Sequence, residues 1–164
     1  DATDFGNLTV ARHSPGGCSS GSRGCFGGGA GASANMFYAI DYITISTTGN
    51  ATDFGDLTAD RKSVSACSDG TIGVFGGGWN SGVIDTIDYI TIATTSDATD
   101  FGNLTVALTA NSACSDGTYG VFGGGYNGGA LNTMEYVTIQ TTGNATDFGD
   151  LTVARYNPSS CSGD

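Results

Sequence analysis

The chain has 164 residues, a net charge of −11 with only five basic side chains, and 28 glycines against an average share of roughly 7%. This balance disfavours nucleic-acid binding, because a phosphate backbone would be repelled, and disfavours an anionic membrane surface for the same reason. No apolar run approaches the ~18–20 residues that span a bilayer, so membrane insertion is not expected. Phe, Ile, Val and Tyr stand between the glycines at fixed places, which marks a packed repeat and not a low-complexity linker.

One segment fixes the organisation. ATDFGDLT, with Asn for its second Asp in two copies, occupies Ala2–Thr9, Ala51–Thr58, Ala98–Thr105 and Ala145–Thr152, so that Asp4, Asp53, Asp100 and Asp147 lie 49, 47 and 47 residues apart. A period of this size is the mark of stacked supersecondary units. Residues 1–164 read as one repeat domain, with repeats 2–50, 51–97 and 98–144 and a partial fourth, 145–164. The sequence begins and ends inside a repeat, without an initiator Met or an apolar leader, so a longer or processed array is expected. The first repeat has two extra residues between its glycine triplet and Tyr42, which predicts a loop over Ala30–Tyr38.

Each repeat then reads as short strands in a fixed order. Ser65–Cys67 and Thr71–Phe75 form a hairpin around Ser68-Asp69-Gly70. The triplets Gly27–Gly29, Gly76–Gly78 and Gly123–Gly125 end its second strand. Tyr89–Ile92, with Tyr42–Ile45 and Tyr136–Ile139, is an aromatic and β-branched strand with apolar residues on both faces, as in a sheet covered on both sides. After a Thr-Thr-Gly-Asn or Thr-Thr-Ser-Asp turn, Phe54–Thr58 is the last strand. No segment has a helical period, and the expectation is an all-β chain with about four antiparallel strands per unit.

A four-stranded unit of this length matches a propeller blade, and the residues resemble kelch repeats. The glycine doublet sits in Val74–Gly78 and Val121–Gly125; the acidic-Tyr pair is Asp41-Tyr42, Asp88-Tyr89 and Glu135-Tyr136; the fourth-strand aromatic is Phe54, Phe101 and Phe148; the Arg that often opens the next blade is Arg12, Arg61 and Arg155. The resemblance covers the whole chain. It departs from the family where Phe replaces the usual Trp and comes later after the Tyr, and where Leu108 replaces the Arg. Arrays this regular also resemble those of phage and environmental bacterial surface proteins. The resemblance implies blades of a propeller that three repeats and a fraction do not close, since propellers have about four to eight blades. Open sheet edges promote pairing, so other copies or further repeats are the expected partners.

Cys18, Cys67, Cys114 and Cys161 recur with the repeat and, in a kelch-like unit, fall on the innermost strand as a ring of small core residues. Cys25 replaces Val74 and Val121, in poor hairpin register for a bridge to Cys18. Asp53, Asp56, Asp100, Asp147 and Asp150, with Asn50, Asp97, Asn103 and Asn144, supply closely spaced oxygens that suit Ca²⁺; they equally suit turns and strand ends, which is the preferred reading. No other cofactor is expected. Asn7, Asn50, Asn103 and Asn144 open N-x-T sequons that recur with the repeat. His13 is the only histidine, so neither a catalytic triad nor a two-His metal site fits, and no enzyme is expected.

Trp79-Asn80 and Tyr126-Asn127 follow the glycine triplets in a loop that varies between repeats, and an aromatic beside an amide suits a sugar. They are the first choice for a ligand surface. The expected function is a non-enzymatic structural or binding module of an extracellular, cell-surface or virion-appendage protein, recognising carbohydrate or a surface protein. The alternatives are a self-assembling fibre or ring subunit, and a non-catalytic domain of a larger carbohydrate-active enzyme.

Overall fold

The computed structural model describes residues 1–33 and 35–162. Among them there are twelve strands and no helix. They form three antiparallel four-stranded sheets, each in chain order. Unit 1 contains β1 (Gly16–Ser19), β2 (Arg23–Gly27), β3 (Ala39–Thr44) and β4 (Thr52–Asp56). Unit 2 contains β5 (Ser65–Ser68), β6 (Ile72–Gly76), β7 (Ile84–Thr91) and β8 (Thr99–Leu108). Unit 3 contains β9 (Ser112–Ser115), β10 (Tyr119–Gly123), β11 (Leu131–Thr138) and β12 (Thr146–Arg155). The sheets do not close on one another. The first strands pack side by side, β1 on β5 and β5 on β9, so the fourth strands lie outermost.

The hairpin turn of unit 2 lies one residue beyond the predicted Ser68–Gly70, over 69–71, because Ser68 still pairs with Gly73. Asp69 accepts the amides of Thr71 and Ile72, both at 2.7 Å, and Asp116 accepts those of Thr118 and Tyr119, both at 2.8 Å. These bonds lower the pKa of Asp69 against the opposing effect of its partial burial. Among the described residues no strand lies between Gly27 and Ala39, in agreement with the predicted loop; Ala34 of that loop lies outside them.

The third and fourth strands differ from expectation. Tyr42, Tyr89 and Tyr136 sit inside the third strand and do not open it, because pairing begins at Ala39, Ile84 and Leu131. The fourth strand starts at Thr52 and ends at Asp56, not Phe54–Thr58, and its equivalents run ten residues. The cause is a bulge. Ile40 pairs with Gly55 and Asp41 with Asp53, which leaves Phe54 without a partner. The extra residue breaks the two-residue alternation, so a pattern read by alternation is misplaced there. Phe54 is thereby turned inward and meets Tyr42 edge to face at 6.0 Å; Phe101 meets Tyr89 likewise at 5.9 Å.

The core lies between units and not within them, as in other repeat arrays. Phe54, Leu57, Phe75 and Ile90 are buried together between units 1 and 2. Phe101, Leu104, Leu108 and Phe122 are buried together between units 2 and 3. Fully burying one such side chain contributes about 1.5–3 kcal/mol, so each unit depends on its neighbour for its stability.

Candidate functional site

The strongest constellation is a polar socket that recurs at each junction. At the first, Thr58 donates its amide (3.0 Å) and hydroxyl (2.7 Å) to Asp88, and Arg61 donates to the same carboxylate at 2.9 Å. Arg61 also donates to the Phe75 carbonyl at 3.3 Å and the Thr86 carbonyl at 3.2 Å. Both side chains of the ion pair are fully buried. Burial lowers the Arg61 pKa, with Asp88 opposing. Thr9 and Arg12 repeat the arrangement on Asp41: the Thr9 hydroxyl donates at 2.6 Å and Arg12 pairs with the carboxylate. At the second junction Leu108 stands in the Arg place and Glu135 in the Asp place. Glu135 is fully buried, accepts the Thr105 amide, and has no partner for Oε1 among the described residues.

A second link is a clamp on the outer strand. The carbonyls of Phe5 and Asn7 accept the amides of Gly49 and Ala51, each at 2.8 Å, and the carbonyls of Phe101 and Asn103 accept those of Gly143 and Ala145. In return Asn50 accepts the Asn7 amide at 3.0 Å, Asp97 the Asp56 amide at 3.1 Å, and Asn144 the Asn103 amide at 3.0 Å. Gly55 (φ 138°) and Gly102 (φ 146°) permit the approach; a side chain there would strike the Ser96 or Gly143 carbonyl.

This clamp accounts for much of the acidic set. Asp97, Asn50 and Asn144 are acceptors for backbone amides, while Asp53, Asp100, Asp147 and Asp150 are exposed. Asp56 is raised in pKa by partial desolvation and by the charges of Asp97 and Asp53. No group of three His, Cys, Asp or Glu among the described residues is placed to hold a metal ion. The structure therefore brings Asp53, Asp56 and Asp97 near one another without forming a Ca²⁺ cage.

Cys18, Cys67 and Cys114 lie on the first strands as expected, whereas Cys161 follows β12 outside any strand and does not continue the row, and Cys25 lies on β2. Cys18 and Cys67 are buried, Cys114 is half-buried, Cys161 is exposed, and all are free. Burial pushes Cys67 up to about 12. The sequence placed Cys18 and Cys25 in poor register; they are in fact directly opposite across β1 and β2, because the hairpin turn is Ser20–Ser22. Their hydrogen bond raises the pKa of Cys18, with burial adding to it, and lowers that of Cys25.

Trp79 and Tyr126 occupy equivalent loops between the second and third strands, at 38% and 40% exposure. Each loop is held firmly. The Trp79 backbone bridges to Lys62 and Val83, that of Tyr126 to Thr109 and Ala130, and the Asn80 amide donates to Asp60 at 3.1 Å. Tyr126 also meets Tyr156 edge to face at 5.9 Å. Asn80 and Asn127 each donate a backbone amide two residues on, to Gly82 and Gly129. A surface groove of 590 Å³ lies away from these loops, between the hairpin turns of units 1 and 2, where Arg23 already donates to the Ile92 carbonyl and covers the Tyr42 ring at 4.5 Å.

Sequence reasoning named Asp41, Asp88 and Glu135 only as neighbours of a tyrosine and passed over Thr9, Thr58 and Thr105. A signal was present: Arg and Asp recur together, and where Leu108 replaces Arg the acid lengthens to Glu135. No protein-family model matches the chain, and no curated protein matches it significantly.

Proposed function

We propose that this chain is a segment of a kelch-like β-propeller that acts as a non-enzymatic display scaffold at an extracellular, cell or virion surface. The observation that carries the reading is the recurring junction. A buried carboxylate bound by Thr, joined by Arg61 at the first junction, holds successive four-stranded units in one orientation, which presents the variable loops of Trp79 and Tyr126 in equivalent places on neighbouring units. A rigid, half-exposed aromatic loses little entropy on binding, and each has an amide beside it; a carbohydrate or a flat protein epitope is the ligand class this suits. Kelch-like character is supported by the glycine triplets that end the second strands and by Tyr on the third.

Glycan-array binding of the wild type, Trp79→Ala and Tyr126→Ala tests the ligand surface. The expected result is binding that either substitution weakens by tenfold or more. Binding that survives both substitutions would refute the role of the loops.

A further inference from the structure

We propose that two copies of this chain join head to tail. The open face of unit 3 in one copy receives unit 1 of the other, and residues 145–155 take the place that residues 2–12 hold in the free chain. The exchange is argued from the junctions alone; the number of copies rests on the propeller reading above.

Each internal junction is a set of knobs and holes, and the two outer faces carry the unmatched halves of the same set. The Phe75 ring fills the space over Gly27, where a β-carbon would lie 2.8 Å from it, and Phe122 fills that over Gly76, at 2.6 Å. Over Gly123 a β-carbon would meet only Met134 of its own unit, at 3.6 Å, while Phe26, the equivalent knob of unit 1, is only half-buried. The Cys18 sulfur covers Gly73 and the Cys67 sulfur covers Gly120, at 2.5 and 2.7 Å from the same imagined atom. Half-buried Cys114 has no such glycine, and Gly24 faces only Ile43 and Ile45 of its own unit. Among the described residues the Arg155 side chain bonds only the nearby Val153 carbonyl, where Arg61 enters a neighbouring unit. Gly149 keeps the positive φ of the clamp glycines, 126°, with nothing within 4 Å. Phe148 and Val153 are 58% and 62% exposed, and a groove of 200 Å³ runs past Gly123, Leu151 and Arg155.

The sequence supplies the occupant. Residues 2–12 and 145–155 differ at one position, Asn7 against Asp150. Residues 145–155 can therefore offer Asp41 of a second copy the same Thr and Arg, and the Gly49–Ala51 turn the same carbonyls. The two segments are not held equally. Residues 2–12 form no β-ladder, and their hydrogen bonds to unit 1 are those of the socket and clamp. Residues 146–155 are paired along β11. Exchange replaces a segment held on one side by one held on both. The Arg155 carbonyl already accepts the Gly125 amide, as the Arg61 carbonyl accepts that of Gly29, so the donating strand keeps its place. Residues 156–162, which rest on β9 through Ser160 and Ser162, give way to the partner's β1.

A head-to-tail interface makes a ring when its rotation closes. Each copy contributes three units, and two copies are the only multiple that falls within about four to eight blades. The product is a six-unit dimer.

Sedimentation equilibrium of the full chain at ~0.15 M salt, with Thr9→Ala and Thr152→Ala, tests this. The expected species has twice the 16.4 kDa chain mass. Thr9 bonds Asp41 only in the free chain, so Thr9→Ala tightens the dimer by roughly tenfold per exchanged site, and Thr152→Ala loosens it to a similar extent. Gly123→Leu, which fills the hole without meeting the chain's own backbone, abolishes it. A monomer up to ~100 μM overturns the proposal and leaves an in-line repeat as the partner of the open face. A dimer in which both Thr substitutions act in the same direction, or neither acts, overturns the exchange. Opposite effects in trimers or open polymers uphold the exchange and overturn the six-unit ring, and the propeller reading with it.

Discussion

Replacing Arg61 by Leu tests whether the junction socket holds the units together. The guanidinium donates to Asp88 (2.9 Å), the Thr86 carbonyl (3.2 Å) and the Phe75 carbonyl (3.3 Å), all out of contact with water. Its loss leaves a buried carboxylate with two donors, both from Thr58. Breaking a buried pair from one side costs about 3–5 kcal/mol; the remaining donors place Arg61→Leu near the lower end, about 3 kcal/mol. The chain already contains an alternative at Leu108 and Glu135, where an apolar side chain fills the Arg place and a longer acid reaches the Thr amide. Adding Asp88→Glu to Arg61→Leu should thus recover roughly half of the loss. Urea unfolding of the two single variants and the double, with m-values compared, gives the coupling directly. A cost below about 1 kcal/mol for Arg61→Leu, or a double variant worse than the two singles combined, would refute the argument.

Gly76→Ala and Gly123→Ala occupy the same repeat position and should part widely: overpacking against Phe122 costs about 1–3 kcal/mol, while the second change stays within about 0.5 kcal/mol in the monomer, as thermal unfolding at low protein concentration will show. Asp56→Asn should stabilise the chain by a few tenths of a kcal/mol at pH 7, a magnitude reduced by solvent screening. The sign follows from the raised pKa of Asp56: the folded state binds its proton more tightly than the unfolded state, so the stability it contributes is full below about pH 4 and is lost as pH rises through the folded value. Asn carries no such loss, and Asn7 and Asn103 already occupy the equivalent places, so the stability difference between variant and wild type should shrink to zero on acidification in paired urea titrations.

What could be read in the sequence was what repeats locally. The hairpin at Ser68-Asp69-Gly70 depends on one side chain and the amides two and three residues on, so its signal is contiguous. The last strand was misplaced because a bulge at Phe54 breaks the alternation by which strands are recognised, and the shift appears only in the pairing with β3. The buried carboxylates were missed because charge beside an aromatic reads as surface, and because Thr58 and Asp88 lie 30 residues apart. The loop amides were read as free for ligand, whereas Asn80 reaches Asp60, a partner outside its own hairpin.

Near-identical repeats invite pairing in the wrong register, and the chain holds a device against it. Residues 98–108 match residues 2–12 as far as Val106-Ala107, then end in Leu108 where Arg12 stands. Placed against Asp41 of another copy, that segment would bury the carboxylate without its cation, at the several kcal/mol that an unpaired buried charge costs. Residues 145–155 end in Arg155 and bear no such penalty. Within the chain the mismatch is met locally by Glu135, whose longer side chain still reaches Thr105. One substitution thus keeps residues 98–108 off a second copy's Asp41, while Arg61 is already held by Asp88, which leaves Arg155 as the cation that Asp41 would accept. The net charge of −11 opposes any encounter between copies, so association should strengthen as salt shortens the screening length below about 10 Å.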